Sequence, residues 1–188
     1  MEKNTITTYK LFRMGQDGKL YPLYVNANEP LPVGKWLKAK CGEILPNGKV
    51  KAKIGKGLAV RPGFHSSEAS SGCVAVHIGK KKHPSDIKPS YRPENQVWAR
   101  CRVLNDGGKW QKVANTKGKI PRDKCLKEIP VGGFYRYKTN PNMNGEWIIS
   151  GEIFIEKVLT DKEVLEINSK LGVSDLPRVP KMQKNHCC

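Results

Sequence analysis

Acidic residues are scarce in this chain. Asp and Glu number 17 against 34 Lys and Arg in 188 residues, a formal net charge of +17. Long apolar runs are missing too. None approaches the ~18 residues that a membrane-spanning helix needs. The first residues, Met1, Glu2, Lys3, Asn4 and Thr5, hold no apolar signal region, so a cytoplasmic location is expected. Six cysteines, at 41, 73, 101, 125, 187 and 188, form no CxxC pair and no zinc-ligand spacing, which points to free, reduced thiols. The prenylation motif needs its cysteine four from the end, a spacing that Cys187 and Cys188 do not offer. There is no HExxH, no calcium loop and no GxxxxGK[ST] phosphate loop, despite Gly55-Lys56-Gly57. No nucleophile elbow is present from which a Ser-His-Asp triad could be built. No metal and no cofactor is expected, and no internal repeat is visible.

What the chain does have is positive charge in one place. Between Lys35 and Lys127 there are 22 Lys and Arg against 6 Asp and Glu. From Gly145 to Asp175 the balance reverses, with 7 acids against 3 bases. A polarised basic molecule of this kind usually meets polyanions.

The local patterns favour strands. Thr7, Tyr9, Leu11 and Arg13 alternate with Thr8, Lys10, Phe12 and Met14, and Gly15-Gln16-Asp17-Gly18 is a turn signal. A return strand over 19–25 follows, interrupted by Pro22. Another strand is expected over 33–39 around Trp36, then a Gly- and Lys-rich excursion over 40–57. Leu58-Ala59-Val60 begins a short element ending at Arg61-Pro62-Gly63-Phe64-His65, and Ser66 to Gly72 reads as small and polar. Gln96 to Leu104 is the clearest interior strand, with Val97, Ala99, Cys101 and Val103 on one face and Trp98, Arg100 and Arg102 on the other. Trp147 to Leu159 is apolar but broken at Ser150-Gly151, which suggests a bulge. Thr160-Asp161-Lys162-Glu163 is a capping box opening a helix with Val164, Leu165, Ile167 and Leu171, stopped by Gly172. The expected fold class is α+β: a mainly antiparallel twisted sheet with one C-terminal helix and long basic loops. One domain is expected over 1–176, with a flexible tail over 177–188.

Three groups of residues carry candidate chemistry. Lys38, Lys40, Lys49, Lys51, Lys53, Lys56, Lys80, Lys81 and Lys82 lie in Gly/Pro-punctuated loops and can track phosphates, with Trp36, Trp98 and Trp110 available to stack bases. Solvated loop lysines and core tryptophans are the plainer alternative. Arg100 and Arg102 share a strand face roughly 7 Å apart, near the spacing of successive phosphates. His65 and His77 with a carboxylate suit acid–base work on a phosphodiester, as in a metal-independent nuclease. Glu146 ahead of a hydrophobic strand, with Arg13 for a pyrophosphate, suits nicotinamide-dependent ADP-ribosyl transfer. Both arrangements depend on the folded chain bringing distant residues together.

Several phrases also occur together elsewhere. Tyr9-Lys10-Leu11-Phe12-Arg13, Gly18-Lys19-Leu20-Tyr21-Pro22-Leu23-Tyr24-Val25, Leu58-Ala59-Val60-Arg61-Pro62-Gly63-Phe64-His65, Asn95-Gln96-Val97-Trp98-Ala99 and Glu146-Trp147-Ile148-Ile149-Ser150 resemble a family of small accessory proteins and polyprotein segments from bacteriophages and prophages of gut bacteria. The resemblance covers most of residues 7–170, in order. It implies a phage product in the bacterial cytoplasm. With the charge pattern, it leads to the expectation of a non-enzymatic protein that binds nucleic acid, DNA more than RNA, or a host nucleoprotein. Counter-defence is the implied role, for example inhibition of a CRISPR effector nuclease. A small ADP-ribosyltransferase-like or nuclease enzyme is the alternative, and a scaffold whose charge only keeps it soluble is a third.

Overall fold

The computed structural model describes residues 3–53, 55–71, 73, 95–105, 112–114, 127–138 and 146–170. His77, Lys80, Lys81, Lys82, Trp110 and the 177–188 tail lie outside the described residues. The described elements are strands β1 (Thr5–Met14), β2 (Leu20–Tyr21), β3 (Trp36–Lys38), β4 (Phe64–Glu68), β5 (Gln96–Leu104), β6 (Lys112–Ala114), β7 (Phe134–Lys138), β8 (Trp147–Ser150) and β9 (Glu152–Val158). A 3-10 turn, Ala69–Ser71, follows β4, and helix α1 (Asp161–Lys170) follows β9. The fold is α+β, a mainly antiparallel sheet with one helix near the C-terminus.

The strands run in the order β3-β9-β5-β1-β4-β8-β7-β6, with β2 paired to β1 beside this path. Among the described strands only β6 and β7 pair in parallel. The order conceals a closure. β8 pairs with β4, and β9 with β5, yet β8 and β9 are separated by Gly151 alone. The pairings β1–β5, β5–β9, β8–β4 and β4–β1 therefore form a ring in which β8–β9 acts as one bent strand shared by two sides. Such corners are how a sheet turns to enclose a core. The break at Ser150-Gly151 is thus a change of partners rather than a bulge. The register irregularity lies elsewhere, between Arg100 and Cys101 where β5 meets β9. Gly151 is required at the corner, because a Cβ there would collide with the backbone carbonyl of Pro130.

Alternation in β1 and β5 builds the core, as expected. Cross-strand partners share a face, and Phe12↔Val97, Lys10↔Ala99, Thr8↔Cys101 and Ile6↔Val103 all point inward. Phe12, Ala99, Cys101 and Val103 join Ile148, Ile153 and Ile155 in the interior, all without exposure. The outward residues Tyr9, Leu11 and Trp98 are covered by Leu159 and by Val164 of α1, with Ile167 packed beside them. Helix α1 begins as a capping box: Glu163 N–H donates to Thr160 Oγ1 (3.2 Å), and Thr160 N–H donates to Glu163 Oε2 (2.9 Å).

Three local expectations change. The return strand after the first turn is only Leu20–Tyr21, because Pro22 cannot donate to the ladder. The strand around Trp36 is three residues long. The polar segment beginning at Ser66 belongs to β4, which lies inside the ring between β1 and β8. Ser66 and Ser67 are both buried there.

Candidate functional site

The lysine-rich excursion is anchored to the body of the protein rather than looped freely. Leu45 N–H donates to Lys49 O (2.7 Å), closing a turn over Pro46-Asn47-Gly48 in which Gly48 takes the left-handed conformation (φ 72°). Val50 exchanges both of its backbone bonds with Leu58 (2.9 Å each), and Lys51 N–H donates to Glu43 O (2.7 Å). Lys53 N–H ties the segment to Tyr24 O (2.9 Å). Val50 is buried, while Lys49, Lys51 and Lys53 around it are exposed. Lys35, Lys38, Lys40 and Lys56 are exposed as well. Two of these cations are matched: Lys40 Nζ lies 3.0 Å from Glu29 Oε2, and Lys51 Nζ lies 2.7 Å from Glu43 Oε2. Among the described residues Lys35, Lys38, Lys49, Lys53 and Lys56 have no carboxylate partner.

Arg100 and Arg102 do share an outward face, but they share it with Glu156. Arg100 Nε sits 2.9 Å from one carboxylate oxygen and Arg102 Nη2 3.3 Å from the other. Their charge is therefore partly matched within the fold. Trp98 is buried beneath α1 and offers no stacking face. Trp36 is half-buried, packed on Phe154 with ring centroids 5.7 Å apart, and Lys3 Nζ lies 4.5 Å from its centroid.

Beneath the lysine segment lies a cavity of about 760 Å³. Its origin is a split between two strands. The β1–β4 ladder has only two pairs, Thr8↔Glu68 and Tyr9↔Ser67. At the next position Lys10 and Ser66 no longer pair. Instead the Lys10 ammonium crosses the gap and donates to the carbonyl of His65 (2.8 Å). That carbonyl belongs to the peptide joining His65 to Ser66, so the ammonium lies beside Ser66. Ser66 faces inward with Ile148, its partner on β8, and its buried hydroxyl has no hydrogen-bond partner. Burial pulls the Lys10 pKa down from an ordinary 10.5 to about 8.

His65 lines the same cavity. Burial, then the charge of Lys10, pulls its pKa down to about 3; the Gly63 carbonyl opposes this, and Arg61 adds least to the lowering. The Nδ1 of His65 lies 3.2 Å from Gly63 O, which assigns the proton to Nδ1. The ring is therefore neutral near neutral pH, and its edge meets Trp147 (centroids 6.0 Å apart). Arg13 is elsewhere: its Nη2 donates to Ala27 O (2.7 Å) and its guanidinium stacks on Tyr21 at 4.5 Å, which fastens the loop after β2. Glu146 is buried with a carboxylate oxygen 3.8 Å from Arg136 Nη1, and Arg136 also pairs with Glu68. Of Arg13, His65 and Glu146, only His65 lines the cavity, so the fold does not gather them in one cleft. His77 lies outside the described residues. Among the described residues no three His, Cys, Asp or Glu stand together as metal ligands, and no helix is long and apolar enough to cross a membrane.

Lys10 is the functional candidate that sequence reasoning passed over. One signal was available for Lys10, since it is in phase with Phe12 on a strand whose inward face is otherwise fit for a core. No protein-family model, curated protein or solved structure matches this chain.

Proposed function

We propose that the protein is a non-enzymatic accessory factor that binds nucleic acid through the exposed lysines of residues 35–57. The observation that carries this reading is the anchored segment in which Lys49, Lys51 and Lys53 are exposed around a buried Val50. Lys35, Lys38 and Lys56 extend the charge around it. Contacts of this kind fix the protein on a polyanion without reading bases, and their strength falls steeply with salt. In the phage setting implied by the sequence resemblance, such a surface serves counter-defence, by covering DNA or by occupying a host nucleoprotein.

The test is fluorescence anisotropy with labelled double- and single-stranded DNA across a salt series. Changing Lys38, Lys49, Lys53 and Lys56 together to glutamine should abolish binding at moderate salt while leaving the circular dichroism spectrum and melting curve intact. Each lost phosphate contact should flatten the log–log salt slope by about 0.9 on double-stranded DNA. Retained affinity in that variant rules the reading out.

A further inference from the structure

We propose that the cavity beneath the lysine segment is a binding site for a small apolar-tailed carboxylate, whose charged end is held by Lys10. The walls are apolar over much of their extent, with Pro22, Leu31, Leu37 and Phe64 among them. The volume, about 760 Å³, is that of a small-molecule site. The polar groups are concentrated where β1 and β4 part. An ammonium has three N–H donors, and Lys10 uses one on the His65 carbonyl. Among the described residues no second acceptor is bound to the Lys10 ammonium, which leaves its other donors for a ligand.

The charge balance selects the ligand. Among the described residues no carboxylate pairs with Lys10. Its ring neighbour is Phe12, 5.4 Å from Nζ to the centroid. A buried cation without a counter-ion is costly, and an anion brought in by a ligand removes that cost. Lys10 at the strand gap and Arg61 on the wall, in a chamber with largely apolar walls, suit an anion with an apolar body. The groups facing Lys10 leave its protonation as the controlling event near neutral pH. His65 on β4 is neutral, with its pKa at about 3. The Cys101 thiol on β5 is pushed up to about 12 by burial. Arg61, on the cavity wall, stacks on Tyr137 at 4.8 Å. This site is independent of the DNA-binding reading, and neither stands or falls with the other.

The experiment is calorimetric titration of the full chain with octanoate and with 1-octanol at pH 7 and pH 9.5, repeated on Lys10→Met. The native protein should bind octanoate at least roughly tenfold tighter than the neutral alcohol, the strength of one charge-assisted hydrogen bond. That preference should shrink at pH 9.5, where Lys10 is deprotonated, and vanish in Lys10→Met while octanol still binds. The proposal fails if octanoate does not bind, if the two probes bind equally to native protein, or if the preference survives in Lys10→Met. The pH comparison uses native protein only, so it decides the matter even where the variant folds poorly.

Discussion

Replacing Lys10 by methionine should change how stability depends on pH, by an amount that follows from the burial of its amine. Folding lowers the Lys10 pKa from 10.5 to about 8. The unfolded chain therefore binds more protons here than the folded one, and stability contributed at this position rises with pH. At about 1.4 kcal/mol per pKa unit the cost at neutral pH is about 3 kcal/mol for a dry amine, and less where cavity water screens it. Roughly 1 kcal/mol of that cost is relieved between pH 7 and pH 9. Methionine fills a similar space without a charge and removes the whole pH-dependent contribution. It also leaves the His65 carbonyl without its donor, a penalty of about 1 kcal/mol that does not vary with pH. The assay is urea unfolding of both proteins at pH 7, 8 and 9 under reducing conditions. Cys73 and Cys101, each pushed up to about 12, lower stability above pH 9 as thiols ionise in the unfolded chain, but they do so in both proteins. The native protein should therefore gain on the variant by about 1 kcal/mol from pH 7 to pH 9. A difference that stays constant over this range would mean the amine is fully hydrated, and the cavity reading would lose its cation.

Other perturbations have equally definite outcomes. His65 is held neutral by burial, so the unfolded state gains protons first as pH falls, and stability should decline from about pH 6.5 toward pH 3; His65→Asn should flatten that decline in acid-unfolding curves. Gly151→Ala should cost more than about 3 kcal/mol in urea unfolding or prevent folding, because its methyl meets the fixed Pro130 carbonyl rather than a movable side chain. Glu156→Gln should leave the melting temperature nearly unchanged, since partly exposed ion pairs contribute little. It frees Arg100 and Arg102, so DNA affinity at low salt should rise several-fold by anisotropy; no rise would mean that face takes no part in binding.

The sequence made some of this architecture plain and concealed the rest for physical reasons. β1, β5 and the start of α1 are legible because each announces itself locally, by alternation or by the Thr160–Glu163 capping box. β4 is not, because Phe-His-Ser-Ser-Glu has no apolar alternation; its inward residue Ser66 faces a cavity rather than a hydrocarbon core. The corner at Gly151 depends on which distant strands β8 and β9 meet, and no local pattern holds that information. The same limit applies to charge. Arg100 and Arg102 read as free cations until Glu156 arrives from β9, and Trp98 reads as exposed until α1 covers it. Lys10 looks like an ordinary solvent-facing strand residue, and only the partnership Lys10↔Ala99 turns it inward.

The shared strand also sets when the molecule can become complete. β1 and β4 meet across 58 positions at Tyr9 and Ser67, and β4 meets β8 across a longer separation still. Contacts of such range are slow to form, since the chain must lose loop entropy before any pairing rewards it. β9 is the last of the described strands, and until it emerges β3 lacks its partner and β5 one of its two. Until then the nascent sheet presents two raw edges, with inward side chains such as Val103 uncovered beside them. Raw edges recruit other chains. A product ending before Val158 should therefore be prone to aggregation, because the strand that closes the ring is missing.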